Sequence, residues 1–132
     1  LGRAAVARAG SDITLVGVGR TVLVALEAAA ALEAEGTSAE VIDLRSLSPL
    51  DDEAILSSLA RTGRLVVIDE APPRCGIAAD VAALCADRGF DLLDAPVKRV
   101  TAPHAPVPFS PFLEDLYLPT AARVLAAVRE MG

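Results

Sequence analysis

Apolar positions follow two rhythms along this chain. Residues 13–18 are a continuous apolar run without alternation, and short runs recur at residues 39–44 and 65–69. Runs this short and apolar read as parallel strands covered on both faces. Between them, apolar residues return at helical spacing. Residues 21–35 carry Val22, Leu23, Leu26, Ala30 and Leu32 against a polar side of Glu27, Glu33 and Glu35, with Gly36 as a stop. The next helix has Ile55, Leu56 and Leu59 as its inward stripe, Asp51 or Ser48 as its cap, and Gly63 at its end. Its acids Asp51, Asp52 and Glu53 suit a helix N-terminus. Residues 76–88 place Ile77, Val81, Leu84 and Cys85 on one side before Gly89.

Two more polar strands complete the pattern. Residues 4–8, bracketed by Arg3 and Arg8, and residues 97–101, with Lys98 and Arg99, read as sheet edges. Pro119 suits the first position of a closing helix over residues 120–131, with Val124, Leu125 and Val128 facing inward. One strand followed by four strand–helix units, with no internal repeat, predicts a single α/β domain built as a three-layer α/β/α sandwich. Its central stretch is residues 65–76. There a buried strand ends in Asp69-Glu70, a Pro pair follows, and Arg74-Cys75-Gly76 opens a helix. Ligands and partners gather at such carboxyl-end loops.

Composition narrows the partners. The 132 residues are 53% hydrophobic with few aromatics, so the core is aliphatic. A net charge of −6 argues against nucleic acid or an anionic membrane and for a basic partner. No apolar run approaches the roughly 20 residues of a membrane span. The opening Leu-Gly-Arg-Ala-Ala-Val has neither an initiator Met nor a signal-peptide layout, and is expected to be the cut end of a longer chain. Cys75 and Cys85, on one helix edge about 15 Å apart, cannot pair. A reducing cytoplasm is the expected compartment.

Candidate chemistry is sparse. Gly17-Val18-Gly19-Arg20-Thr21-Val22 invites a dinucleotide fingerprint, with Asp43 as the ribose acid, but Val22 stands where the third glycine belongs. A tight strand-to-helix turn is the better reading. Asp69 and Glu70 are adjacent on a strand and point to opposite faces, which suits structural or interface roles rather than a dyad. Cys75 beside Arg74 would have a lowered pKa. A nucleophile also needs a base, and the only histidine, His104, lies in a distant loop. Neither metal-ligand spacing nor a phosphate-cradling Gly-Lys-Ser/Thr loop occurs. No catalytic, cofactor-binding or metal residue is assigned. The oddest segment, residues 106–119, holds four of the nine prolines and every aromatic except Phe90. With Phe109, Phe112, Leu113, Leu116, Tyr117 and Leu118 it is too apolar for full solvation, and is expected to cover its own core or meet another subunit.

These stretches also carry a resemblance. Ser11-Asp-Ile-Thr-Leu-Val, Gly19-Arg-Thr-Val, Glu40-Val-Ile-Asp-Leu-Arg-Ser-Leu-Ser-Pro-Leu-Asp, Thr62-Gly-Arg-Leu-Val-Val-Ile-Asp-Glu-Ala-Pro, Asp94-Ala-Pro-Val-Lys-Arg-Val-Thr and Pro106-Val-Pro-Phe run in collinear order. The chain resembles the C-terminal domain of the beta subunit of thiamine-diphosphate-dependent 2-oxo acid dehydrogenases, of the branched-chain or pyruvate type. The resemblance implies a transketolase C-terminal-like fold, a five-stranded mixed sheet whose first strand is antiparallel. It implies oxidative decarboxylation of a 2-oxo acid with acyl transfer to a lipoyl group, performed by a heterotetramer. Thiamine diphosphate and magnesium would sit between the alpha subunit and the N-terminal domain of the beta subunit. This chain lacks the Gly-Asp-Gly…Asn diphosphate motif, so it is expected to bind no cofactor and to be inactive alone.

Its implied roles are association with the alpha subunit and a second beta subunit, and docking of the acyltransferase's small basic subunit-binding domain. Asp94 is the implied docking residue, and Phe109, Phe112, Tyr117 and Leu118 are the expected subunit interface. Two alternatives stand beside this reading. One is the same domain in another thiamine enzyme, such as a transketolase or a deoxyxylulose phosphate synthase, against which Glu70-Ala-Pro-Pro-Arg argues. The other is a stand-alone nucleotide-binding module.

Overall fold

The computed structural model describes residues 2–71, 76–102 and 118–131. The elements in chain order are β1 (Ala5–Arg8), β2 (Ile13–Gly17), α1 (Arg20–Ala34), β3 (Ala39–Asp43), α2 (Asp52–Thr62), β4 (Leu65–Ile68), α3 (Ile77–Arg88), a single 3-10 turn (Phe90–Leu92), β5 (Lys98–Val100) and α4 (Ala121–Glu130). The strands form one sheet in the order β1-β3-β2-β4-β5. β1 runs antiparallel to β3, and the other pairings are parallel. This is the expected mixed sheet with an antiparallel first strand.

Strand alternation sorts the core into two halves. Ile13, Leu15, Ala39, Val41, Val66 and Ile68 pack with α1 and α4 through Val22, Ala25, Ala29, Leu32 and Val124. Val16, Ile42, Leu65 and Val67 pack with α2 and α3 through Ile55, Leu59, Ala78, Val81 and Cys85. Each central strand therefore sends side chains into both layers, which is why it reads as largely apolar without alternation.

Several details depart from the sequence pattern. On α1 the inward face is mostly alanine, with Ala25, Ala28 and Ala29 fully buried, while Leu23 is 67% exposed and Ala30 also faces solvent. Small side chains let the helix lie close to the sheet, and Leu23 is one residue, about 100° of helix, away from Val22. Leu56, Leu84 and Leu125 are only half-buried. Asp51, not Ser48, caps α2: its Oδ1 accepts from Ala54 N at 3.1 Å, and its Oδ2 accepts from Ala4 N at 2.8 Å. Thr120 caps α4, accepting from Arg123 N at 3.3 Å, so Pro119 precedes the cap instead of opening the helix.

One polar chain crosses the dry interior. Thr14, fully buried on β2, lies 2.7 Å from Ser58 Oγ and 2.7 Å from Thr62 Oγ1 on α2. Ser58 donates to the carboxylate of Glu40 on β3, which also accepts from Arg61 at 2.7 Å. Thr62 Oγ1 also donates to Arg64 O at 3.1 Å, so three hydroxyl protons are shared among four contacts. Among the described residues no buried side-chain nitrogen or oxygen lacks a partner. Thr14→Val conserves shape but takes one hydrogen-bond partner from each of Ser58 and Thr62, which keep Glu40 and Arg64 O respectively. It is expected to destabilise the chain by about 1–3 kcal/mol in urea unfolding, despite valine's better strand propensity. An unchanged midpoint would refute the chain's contribution.

Candidate docking site

At the carboxyl edge of the sheet, where ligands of such folds gather, several of the described polar groups are engaged with one another. In the Gly17–Val22 turn, Thr21 Oγ1 accepts from Val18 N at 2.8 Å and donates to Val18 O at 2.9 Å. Thr21 N and Val22 N donate to Val18 O and Gly19 O at 3.3 and 3.2 Å. A Cβ on Gly17 would lie 3.0 Å from the backbone of Thr21 and Val22, so glycine here permits a close strand-to-helix join. These groups are engaged within the turn. Asp43 accepts from Arg45 N at 3.1 Å and lies 3.7 Å from Arg45 Nε, held by its own loop.

Asp69 and Glu70 lie just past β4, which ends at Ile68 rather than at Asp69, and their side chains separate. Asp69 is buried and Glu70 exposed. Asp69 Oδ1 accepts from Ala71 N at 3.1 Å, and its Oδ2 accepts from Ala78 N at 3.2 Å. The carboxylate thus caps α3 from outside the helix and ties down both ends of the loop between β4 and α3. Burial pushes the Cys85 thiol up to about 11, so it stays protonated and is no nucleophile. Arg74, Cys75 and His104 lie outside the described residues. Among the described residues no group of three or more His, Cys, Asp or Glu is placed to hold a metal.

The amino edge differs. α2 ends at Gly63, whose φ of 76° is left-handed and whose N–H donates to Leu59 O at 2.7 Å. Asp94 N in turn donates to Gly63 O at 2.7 Å, pinning the approach to β5 onto the end of α2. The 3-10 turn before it is closed by Leu92 N to Gly89 O at 2.9 Å and Leu93 N to Phe90 O at 3.2 Å. Leu92 and Leu93 pack on the core, whereas Asp91 and Asp94 face solvent and Phe90 is 72% exposed. Phe90, Asp91, Leu93, Asp94, Ala95 and Pro96 line an open groove of about 440 Å³.

Asp94 is therefore at the surface, with its carboxylate against Gly63. Of the expected interface residues, Leu118 is half-buried. Phe109, Phe112 and Tyr117 lie outside the described residues. The sequence reading passed over Phe90 and Asp91. Their signal was Phe90's position just past the Gly89 stop, as the one aromatic outside the Pro-rich segment.

Residues 2–124 match the family model for the transketolase C-terminal domain. This chain belongs to the transketolase C-terminal domain family. Within that family it is 61% identical over 131 residues to the acetoin:2,6-dichlorophenolindophenol oxidoreductase subunit beta of Bacillus subtilis (strain 168), covering 99% of this chain and 38% of that one. It is 54% identical to the subunit of the same name from Cupriavidus necator, over 98% of this chain and 38% of the other. Identity to the pyruvate dehydrogenase E1 component subunit beta of Bacillus subtilis is 45%, covering 99% of this chain and 40% of that one. The chain thus spans about two fifths of the length of these relatives, and the resemblance to dehydrogenase beta subunits holds along nearly all of it.

Among solved structures, a split-gene transketolase described as an inactive beta4 tetramer superposes with a TM-score of 0.85 at 35% identity, covering 98% of this chain and 41% of that one. A 2-oxoglutarate:ferredoxin oxidoreductase from Magnetococcus marinus shares the fold at a TM-score of 0.60 and 17% identity, over 98% of this chain and 19% of the other.

In this transketolase C-terminal domain, Gly63 and Asp94 act as one joint. Gly63→Ala would put an L side chain in the left-handed region and its Cβ into the Asp94 carboxylate. The variant is expected to lose about 1 kcal/mol or more of stability and to shift the amide resonances of residues 90–96. A wild-type midpoint with unmoved resonances would show that the joint tolerates the methyl group.

Proposed function

We propose that this chain serves as the assembly and partner-docking domain of the beta subunit in the decarboxylating component of a thiamine-dependent dehydrogenase complex. The supporting observation is the collinear match to beta subunits over 99% of the chain, at 61% identity to the acetoin subunit and 45% to the pyruvate one. The parent enzyme's substrate class is accordingly acetoin, or a 2-oxo acid such as pyruvate, with the acyl group passed to a lipoyl carrier. Thiamine diphosphate and magnesium belong to the assembled enzyme. In this reading they are held outside this chain, which is supported by the Val18, Thr21 and Val22 amides being engaged within their own turn.

The proposed partners are an alpha subunit and a second beta subunit in a heterotetramer, with the Phe109–Leu118 region at the subunit contact, and the acyltransferase's small basic subunit-binding domain at Asp94. Support for the last is chemical. Asp94 is exposed, its amide donates to Gly63 O and its carboxylate lies against Gly63, so its backbone is fixed at the surface. Truncating one member of a desolvated charge pair costs about 2–5 kcal/mol, whereas a rim pair acts mainly on association rate and salt dependence.

In the assembled alpha–beta component, Asp94→Ala is expected to weaken acyltransferase docking at least tenfold, with an unaltered unfolding midpoint. Docking affinity at two salt concentrations, for wild type and variant, measures it. Equal affinities with equal salt slopes would take Asp94 out of the interface.

A further inference from the structure

We infer that the groove beside Asp94 is a two-part receptor, in which Phe90 and Leu93 take an apolar side chain of a basic partner segment and Asp91 and Asp94 take the Lys or Arg residues flanking it. The inference rests on the docking reading for the face it uses, and adds the residues that would carry affinity. Phe90 is the one aromatic among the described residues, and it is 72% exposed on a short turn rather than buried. An exposed phenylalanine beside Leu93, Ala95 and Pro96 makes an apolar floor of the kind found at the centre of interfaces.

The charges point the same way. Two of the six groove residues are aspartates and none is a cation. Among the described residues neither aspartate takes part in an ion pair, although acids nearby on α2 do: Asp52 and Glu53 both pair with Arg88. A complementary occupant therefore brings positive charge on either side of an apolar group. A second copy of this chain does not fit, because a two-fold contact through the groove would set Asp91 and Asp94 against their own copies. The frame is also set before binding. The turn is closed by its own hydrogen bonds, and Asp94 is pinned to Gly63 by its amide at 2.7 Å, so little order remains to be imposed on docking.

The test uses this chain and two probes: the peptide acetyl-Lys-Leu-Arg-Leu-Lys-amide, and its counterpart with glutamate at each basic position. Amide resonances are followed during titration. The basic peptide is expected to bind saturably with shifts centred on residues 90–96, and the acidic one to cause none. Phe90→Ser, at an exposed position, should weaken binding at least fivefold, and Asp91→Asn with Asp94→Asn should weaken it by a similar factor and flatten its salt dependence. Shifts centred elsewhere, or equal affinity for Phe90→Ser, would overturn the inference. The acyltransferase's subunit-binding domain, added as competitor, separates the two readings. Displacement of the peptide supports both. Peptide binding without any docking of the domain overturns the docking reading and leaves the groove. Docking of the domain that ignores Phe90→Ser and leaves the peptide in place overturns the groove inference alone.

Discussion

Every residue of β2 is buried, and that strand leaves the rest of the molecule little choice. With β3 on one side and β4 on the other, its backbone groups are engaged in parallel ladders. Its side chains enter two separate aliphatic layers, so both faces of the sheet must be roofed by helices. Thr14 is the one polar side chain on the strand, and its hydroxyl fixes which helix roofs one face. Only α2, with Ser58 and Thr62 a helical turn apart, brings two hydroxyls to it and relays the chain on to Glu40. An apolar helix would cover the same area but strand those groups without partners, at a cost comparable to a lost hydrogen bond each.

That constraint reaches the candidate docking face. Ser58 and Thr62 fix the placement of α2, and its end at Gly63 receives Asp94 N. The same helix end packs under the turn after α3: a Cβ on Gly89 would lie 3.1 Å from both Leu56 and Leu59. A polar contact inside the core and a surface carboxylate are therefore mechanically joined through one helix. Arg88, bridging to Asp52 and Glu53, adds a rim tie between α3 and the start of α2 that salt would screen.

The fold was legible where local signals agreed with burial. Short, largely apolar runs marked β2, β3 and β4, glycines marked the ends of α2 and α3, and charges marked the edge strands. The inward face of α1 was misjudged because periodicity ranks leucine above alanine, while a helix lying close on a sheet favours the smaller residue. Asp94 was reached through family resemblance, and nothing in its own spacing distinguished it. Phe90 and Asp91 were passed over for a different reason. They lie on a 3-10 turn too short to carry a hydrophobic period, and the exposure of a single aromatic is a property of tertiary structure that no local window contains.

The two edges of the sheet differ in how their described polar groups are engaged. Parallel α/β sheets present helix N-termini and loop amides at their carboxyl edge, where phosphates and cofactors are held. In this chain the polar groups described at that edge already answer one another: Thr21 with Val18, Asp43 with Arg45, Asp69 with Ala71 and Ala78. A ligand arriving there would have to displace internal hydrogen bonds, including one that caps α3. At the amino edge, Asp91 and Asp94 have no cation to meet among the described residues and stand beside an exposed phenylalanine. An approaching basic segment would displace only water from them, while the excess of negative charge over the whole chain draws it in.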